Sequence, residues 1–168
     1  FVMRGLRKAM TRFPDKAGDI SLSLHCETAE IMSAYTKIVE EEGTLKGLAA
    51  YSAGRPPHSE GLAIFIASYL ANETDLPNIN LLHLTSRKAV LAALQMAAVF
   101  PHINFRREVT IGHLMLDTDS KAASLAKVNP PIRPRDDVEY LWEQLVAGNL
   151  DWVCSDHACC KHEMKVDQ

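Results

Sequence analysis

Four short apolar runs separated by stretches of helical periodicity constrain this sequence more than any other feature. DISLSLH (19–25), NINLLHL (78–84), HINFRREVTIGHL (102–114) and LDWVCSD (150–156) have the length and content of strands. Between them, TAEIMSAYTKIVEEEG with Gly43 as its stop, LAIFIASYLANETD, SRKAVLAALQMAAVFP ending at Pro101, and VEYLWEQLVAG carry apolar residues at helical spacing, as does the segment 1–13. Strands alternating with helices predict an α/β fold of parallel βα units with right-handed crossovers. In that architecture the loops after the strands share one face, and chemistry collects there.

Three of the four strands end in a side chain able to hold a metal: His25, His83 and Asp156. A single histidine at a strand end is more often a packed core residue than a ligand. Three donors on one face predict a metal site, since imidazole and carboxylate are usual ligands of zinc-like ions. The segment DWVCSDHACCKHE (151–163) is dense in metal-capable residues and invites a reading as a self-contained zinc knot. Structural zinc sites use closely spaced ligand pairs with a second pair a loop away, and here there is neither a second pair nor a CxxC. Cys159 and Cys160 are instead expected to line a pocket or to pack as small apolar residues.

In GRPPHSE, Pro56 and Pro57 fix a turn, Ser59 or Glu60 is expected to cap the following helix, and Arg55 to pair with a nearby carboxylate. His58 and His102 read as surface or loop histidines, Met96 as helix core, and His113 stays open. The double proline of VNPPIRP holds an extended loop after the third strand. Asn129 in that loop either recognises an amide or imide through its donor and acceptor, or is simply an asparagine in a turn.

With 168 residues, 47% hydrophobic and 23% charged, the chain has the make-up of one ordinary soluble domain. A net charge of -3, with lysines and arginines scattered, excludes a phosphate backbone as partner. No apolar run approaches the roughly 18 to 20 residues that cross a bilayer, and FVMRGLRKAM lacks the pattern of a signal peptide, so neither a membrane nor export is expected and the cytoplasm is the default. The four cysteines suggest reduced thiols or metal ligation rather than disulfides. Phe1 in place of an initiator methionine, and a chain that stops just past its densest cluster, predict a piece of something longer.

Taken together, LHCE (24–27), GRPPHSEG (54–61), LLHLTS (81–86), KVNPPIRP (127–134) and SDHACC (155–160) resemble, in order and in spacing, the cyclic amidohydrolases: dihydroorotase, allantoinase, hydantoinase and dihydropyrimidinase. The resemblance extends over nearly the whole chain. It implies a TIM (β/α)8 barrel of amidohydrolase type, of which residues 1–168 cover about strands five to eight and lack the N-terminal half. It implies two divalent metal ions, with zinc expected. His25 and His83 become ligands of one, and Asp156 a ligand of the other and the proton shuttle. The HxH of the first strand and the carbamylated lysine that bridges the metals are expected outside this chain, so the fragment alone is expected to be inactive.

The implied reaction is metal-dependent hydrolysis of the C–N bond of a cyclic amide or ureide. A ring amide is a poor electrophile, and water is a poor nucleophile until a metal lowers its pKa. Asp156 then serves as base and afterwards as acid. Asn129 matches the dihydroorotase form of the NPP motif and is expected to contact the ring, which favours a dihydroorotase-like activity in pyrimidine metabolism. Cys160, also assigned to substrate binding, stands where dihydroorotases carry a histidine, and TIGHL replaces the usual TPHHL. SDHACC is nearer to allantoinases and GRPPHSEG to hydantoinases, so these activities are the alternative. Small-molecule substrates and a homo-oligomer of the intact protein follow from the resemblance. A non-catalytic scaffold, like the collapsin response mediator proteins that lack the metal ligands, is the rival from another class. Retention of all three ligands expected in this segment argues against it.

Overall fold

The computed structural model describes residues 2–159 and residue 165. Helix α1 (Val2–Arg12) and a 3-10 turn (Pro14–Asp19) lead into β1 (Ser21–Leu24). Helices α2 (Ala29–Glu42), α3 (Gly47–Ala53) and α4 (Pro57–Glu73) precede β2 (Asn78–Leu81), and α5 (Arg87–Val99) precedes β3 (Asn104–Thr110). Then come α6 (Ile111–Met115), a 3-10 turn (Ala123–Ala126), α7 (Arg135–Val146) and β4 (Trp152–Cys154).

All four strands run parallel in the order β1-β2-β3-β4, with Leu24 opposite Leu81, Leu81 opposite Arg107 and Glu108 opposite Trp152. Consecutive neighbours joined through helices are the βα pattern expected from the apolar runs. The core lies between sheet and helices. Ile79 and Leu81 of β2 and Phe105 and Val109 of β3 are buried against Ile64 and Ala71 of α4, Ala89, Val90 and Ala93 of α5, and Leu141 of α7. The alanines let α4 and α5 pack closely, and the apolar residues of the inner strands alternate with polar ones, Ile79, Leu81, Phe105 and Val109 being those that enter the core. Among the described residues β1 and β4 each pair on one side alone, and Val153 of β4 is 42% exposed.

The element ends show where local chemistry decides. Gly43 closes α2 with φ 61, the left-handed position in which glycine carries no penalty. Ser86 caps α5 by accepting from the Ala89 N–H at 3.2 Å. The third strand was expected to continue to residue 114 but stops at Thr110, whose hydroxyl accepts from the His113 N–H and turns Ile111–Met115 into helix. Two helical starts also differ from expectation. α3 occupies a stretch to which no element was assigned, and α4 begins at Pro57 rather than at residue 62, since proline at the first helical position gives up an N–H that has no partner anyway. Ser59 and Glu60 do not cap α4: its N-cap is Pro56, with no side-chain bond, and Glu60 points into the interior. No helix among the described residues is long and apolar enough to cross a membrane.

Candidate active site

The ends of β1 and β2 bring two of the expected donors together. His25 follows directly on β1, and His83 lies two residues beyond β2. His25 Nδ1 and His83 Nε2 approach to 2.5 Å, with ring centroids 4.5 Å apart and planes inclined by 47°. His83 is 2% exposed. Its pKa is held below the usual histidine value, first by burial and then by the neighbouring His25, while the Asp156 carboxylate pulls the other way. Asp156 lies two residues beyond β4, at the same end of the sheet, and its side chain is exposed. Among the described residues no three His, Cys, Asp or Glu side chains come close enough to enclose an ion.

His83 and Asp156 share a backbone feature. Both have positive φ, 38° and 43°, a conformation that side-chain-bearing residues rarely take and that clusters at functional sites. The left-handed step turns each residue out of its strand.

Around the pair the loops are tied by polar groups. Glu27 has a buried Oε1 without a partner among the described residues. Its carboxyl is pushed above the usual range by burial first and by Glu60 next, against the pull of Arg133, Arg55 and His25. The buried Cys26 thiol is pushed up to about 12, chiefly by desolvation, so it behaves as a packed apolar residue. Glu60 and Arg133, both buried, meet at 2.5 Å in an ion pair that the sequence reading missed. Arg133 also donates to Thr85 Oγ1 at 2.8 Å and to the Arg55 carbonyl at 2.6 Å, while the Thr85 hydroxyl donates to Glu60 and its N–H reaches Glu60 Oε2 at 3.1 Å. One cluster therefore fastens the loops after β1, β2 and β3.

Asn129 sits in the loop beyond β3, where its Oδ1 accepts from the Tyr51 hydroxyl at 2.5 Å. Its peptide bond to Pro130 is cis. Arg55 does not pair with a carboxylate among the described residues as expected; its guanidinium lies 3.8 Å from the centre of the Tyr51 ring, with Lys127 at 4.9 Å. Tyr51, Arg55 and Lys127 also line an open cavity of about 690 Å³ beside α2 and α3. The open case of His113 is resolved: it is buried, with Nε2 3.0 Å from the Pro130 carbonyl and Nδ1 2.7 Å from Thr110 Oγ1. A carbonyl can only accept, so Nε2 carries the proton and Nδ1 accepts from the hydroxyl.

The zinc-knot reading finds no support among the described residues. Cys154 belongs to β4, and the Sγ of the exposed Cys159 lies 3.6 Å from His157 Nε2. Cys160, assigned above to substrate binding, lies outside the described residues, as does His162. Sequence reasoning also missed Glu108 and Trp152, whose side chains bond across β3 and β4 at 2.8 Å. With Arg106 and Arg107 beside it in β3, the glutamate gave no local signal of that bond.

At 2.5 Å the two ring nitrogens are in hydrogen-bond contact at the carboxyl ends of neighbouring parallel strands; ligands that each stand about 2.0–2.1 Å from one ion lie farther apart, so the pair would have to open slightly to admit a cation. Burial favours the neutral form of the His83 imidazole, the form that ligation needs. The donor chemistry therefore fits a divalent ion, with further ligands required.

No protein-family model matches the chain. It is 39% identical over 121 residues to an allantoinase of Rubrobacter xylanophilus, covering 70% of this chain and 26% of that protein. It is 30% identical over 149 residues to an allantoinase of Salmonella gallinarum, covering 88% of this chain and 32% of that protein. Among solved structures, the L-hydantoinase (dihydropyrimidinase) from Arthrobacter aurescens superimposes with a TM-score of 0.76 at 27% identity, over 92% of this chain and 34% of that one. A D-hydantoinase (dihydropyrimidinase) from a Thermus species shares the fold with a TM-score of 0.72 at 22% identity, over 90% of this chain and 33% of that one. The chain thus spans between about a quarter and a third of the length of these relatives.

Proposed function

The chain belongs to the cyclic amidohydrolase family, and on that footing we propose that residues 1–168 are the carboxyl-side half of a metal-dependent hydrolase barrel whose intact form opens a cyclic amide or ureide. The observation that carries this reading is the convergence of His25 and His83 at the ends of adjacent parallel strands.

His25 and His83 would hold one divalent ion and Asp156 a second, with zinc suited to imidazole and carboxylate donors. The remaining ligands, an HxH pair and a carbamylated lysine, would come from sequence outside this chain. When bound, such ions supply a water of lowered pKa and a polarised ring carbonyl. Asp156 takes the proton released as the ring carbonyl is attacked and returns it to the departing ring nitrogen, acting as base and then as acid. The exposure of its side chain leaves it room to make that transfer. The two histidines would hold their ion through unprotonated ring nitrogens. Asn129, its Oδ1 already engaged by Tyr51, keeps its amide N–H groups for a ring carbonyl.

For the substrate, kinship with allantoinases favours an uncharged ureide ring such as allantoin, with hydantoins next. This departs from the dihydroorotase-like expectation raised by Asn129. Cys160 argues the same way, since a thiol in place of a histidine gives up a cationic partner for a substrate carboxylate. The exposed apolar row of Leu62, Ile66, Tyr69 and Leu70 on α4 supports a homo-oligomer of the intact protein.

The test is a panel of allantoin, hydantoin, dihydrouracil and dihydroorotate on the full-length protein loaded with zinc. Ring opening of allantoin, lost on chelation and in His83→Ala, is expected. A full-length protein that binds no metal and opens none of the four rings would leave the scaffold reading in its place.

A further inference from the structure

Glu108 is a buried carboxylate that the scheme above leaves unused. It lies on β3 and is 8% exposed. Its Oε1 accepts from the backbone N–H of His83 at 3.1 Å, and its Oε2 accepts from the indole N–H of Trp152 at 2.8 Å. Its own carbonyl accepts from the Leu84 N–H at 2.8 Å. Both carboxylate oxygens are thus engaged by neutral donors, and among the described residues no lysine, arginine or histidine forms an ion pair with Glu108.

A buried carboxylate without a cation is costly, and removing it is the cheap solution unless its charge is used. The group it grips is telling. The His83 amide belongs to the residue with φ 38, so the bond to Glu108 holds the left-handed step that presents the ring to His25. On its other side Glu108 holds Trp152, which opens the strand leading to Asp156.

We infer that Glu108 is a positioning residue for the metal centre, fixing the backbone of His83 and supplying the negative charge that a cation held by His25 and His83 would balance. This rests on the metal-dependent reading above. It differs from a purely structural role in one respect: the carboxylate matters more to the metal-loaded protein than to the metal-free one.

The test uses the full-length protein with metal stripped and restored, and reads Co2+ absorption, Zn2+ affinity by competition with a chromophoric chelator, and the rise in Tm on metal loading. Glu108→Gln keeps the size but removes the charge and one of the two acceptors. Its affinity is expected to fall by roughly 10- to 100-fold, as for other groups that orient metal ligands, and its metal-induced rise in Tm to shrink, while the metal-free Tm stays within a few degrees. Trp152→Phe frees Oε2 but leaves the charge, and should retain affinity within about threefold. If Glu108→Gln does not fold, Glu108→Asp takes its place, keeping the charge but with too short a reach to span both donors, and weaker metal binding is again expected. Unchanged affinity in the Glu108 variant, or an equal loss in Trp152→Phe, overturns the assignment. His83→Ala separates the two readings: if it loses metal while Glu108→Gln does not, only the role of Glu108 fails, and if the wild-type protein binds no metal, both fail.

Discussion

Arg133 Nη2 lies 2.5 Å from Glu60 Oε1, and the two side chains are 1% and 3% exposed. This pair joins the start of α4 to the loop before α7 and takes in Thr85, two residues from His83. Breaking one partner strands the other charge in the interior, so Glu60→Ala or Arg133→Ala should each cost about 3–5 kcal/mol. The double variant should cost less than the sum of the two, because removing the second partner relieves the stranded charge. Urea denaturation of the full-length protein measures both. A loss below about 1 kcal/mol in either single variant would contradict the role.

His113 makes stability depend on pH. Burial holds its imidazole down at about 4, against an ordinary value of 6.5. Between these values the unfolded chain takes up a proton that the folded chain refuses, so stability falls as pH drops from about 6.5 towards about 4, by at most roughly 3 kcal/mol. His113→Gln keeps a neutral donor for the Pro130 carbonyl and should flatten that slope. Thermal melts across this window, wild type against variant, decide it.

Asp156→Ala should reduce turnover by at least three orders of magnitude while the circular dichroism spectrum and Tm stay close to wild type, because the side chain is exposed and carries no packing. Full activity in that variant would remove Asp156 from the mechanism.

The 168-residue chain alone should self-associate. β1 and β4 each pair on one side among the described residues, and open parallel edges recruit other strands. Sedimentation velocity should find oligomers or aggregates. A cooperative monomer would show that the two edges are protected.

Much of the architecture was legible because parallel strands buried under helices must be apolar runs, and Ile79, Leu81 and Val109 write that rule plainly. His25 and His83 were legible because strand ends in such folds point to one face. What stayed hidden depends on partners far apart in the chain. Nothing local distinguishes Glu60 as an ion-pair residue from a helix cap, since its partner is 73 residues away. Glu108 carries no local sign of its role either, since its two oxygens are held by His83 and Trp152, 25 and 44 residues away. The end of β3 was misjudged because Thr110 spends its hydroxyl starting a helix in a segment whose residues suit a strand equally well.

The positive φ of His83 and Asp156 has an evolutionary side. Glycine sits in that conformation at no steric cost, asparagine at little, and β-branched residues scarcely at all. At these two positions, then, the substitutions that ease the backbone are ones that discard the imidazole or the carboxylate. Relaxing the chain and losing the chemistry run in the same direction there, so keeping the imidazole and the carboxylate means keeping the backbone cost.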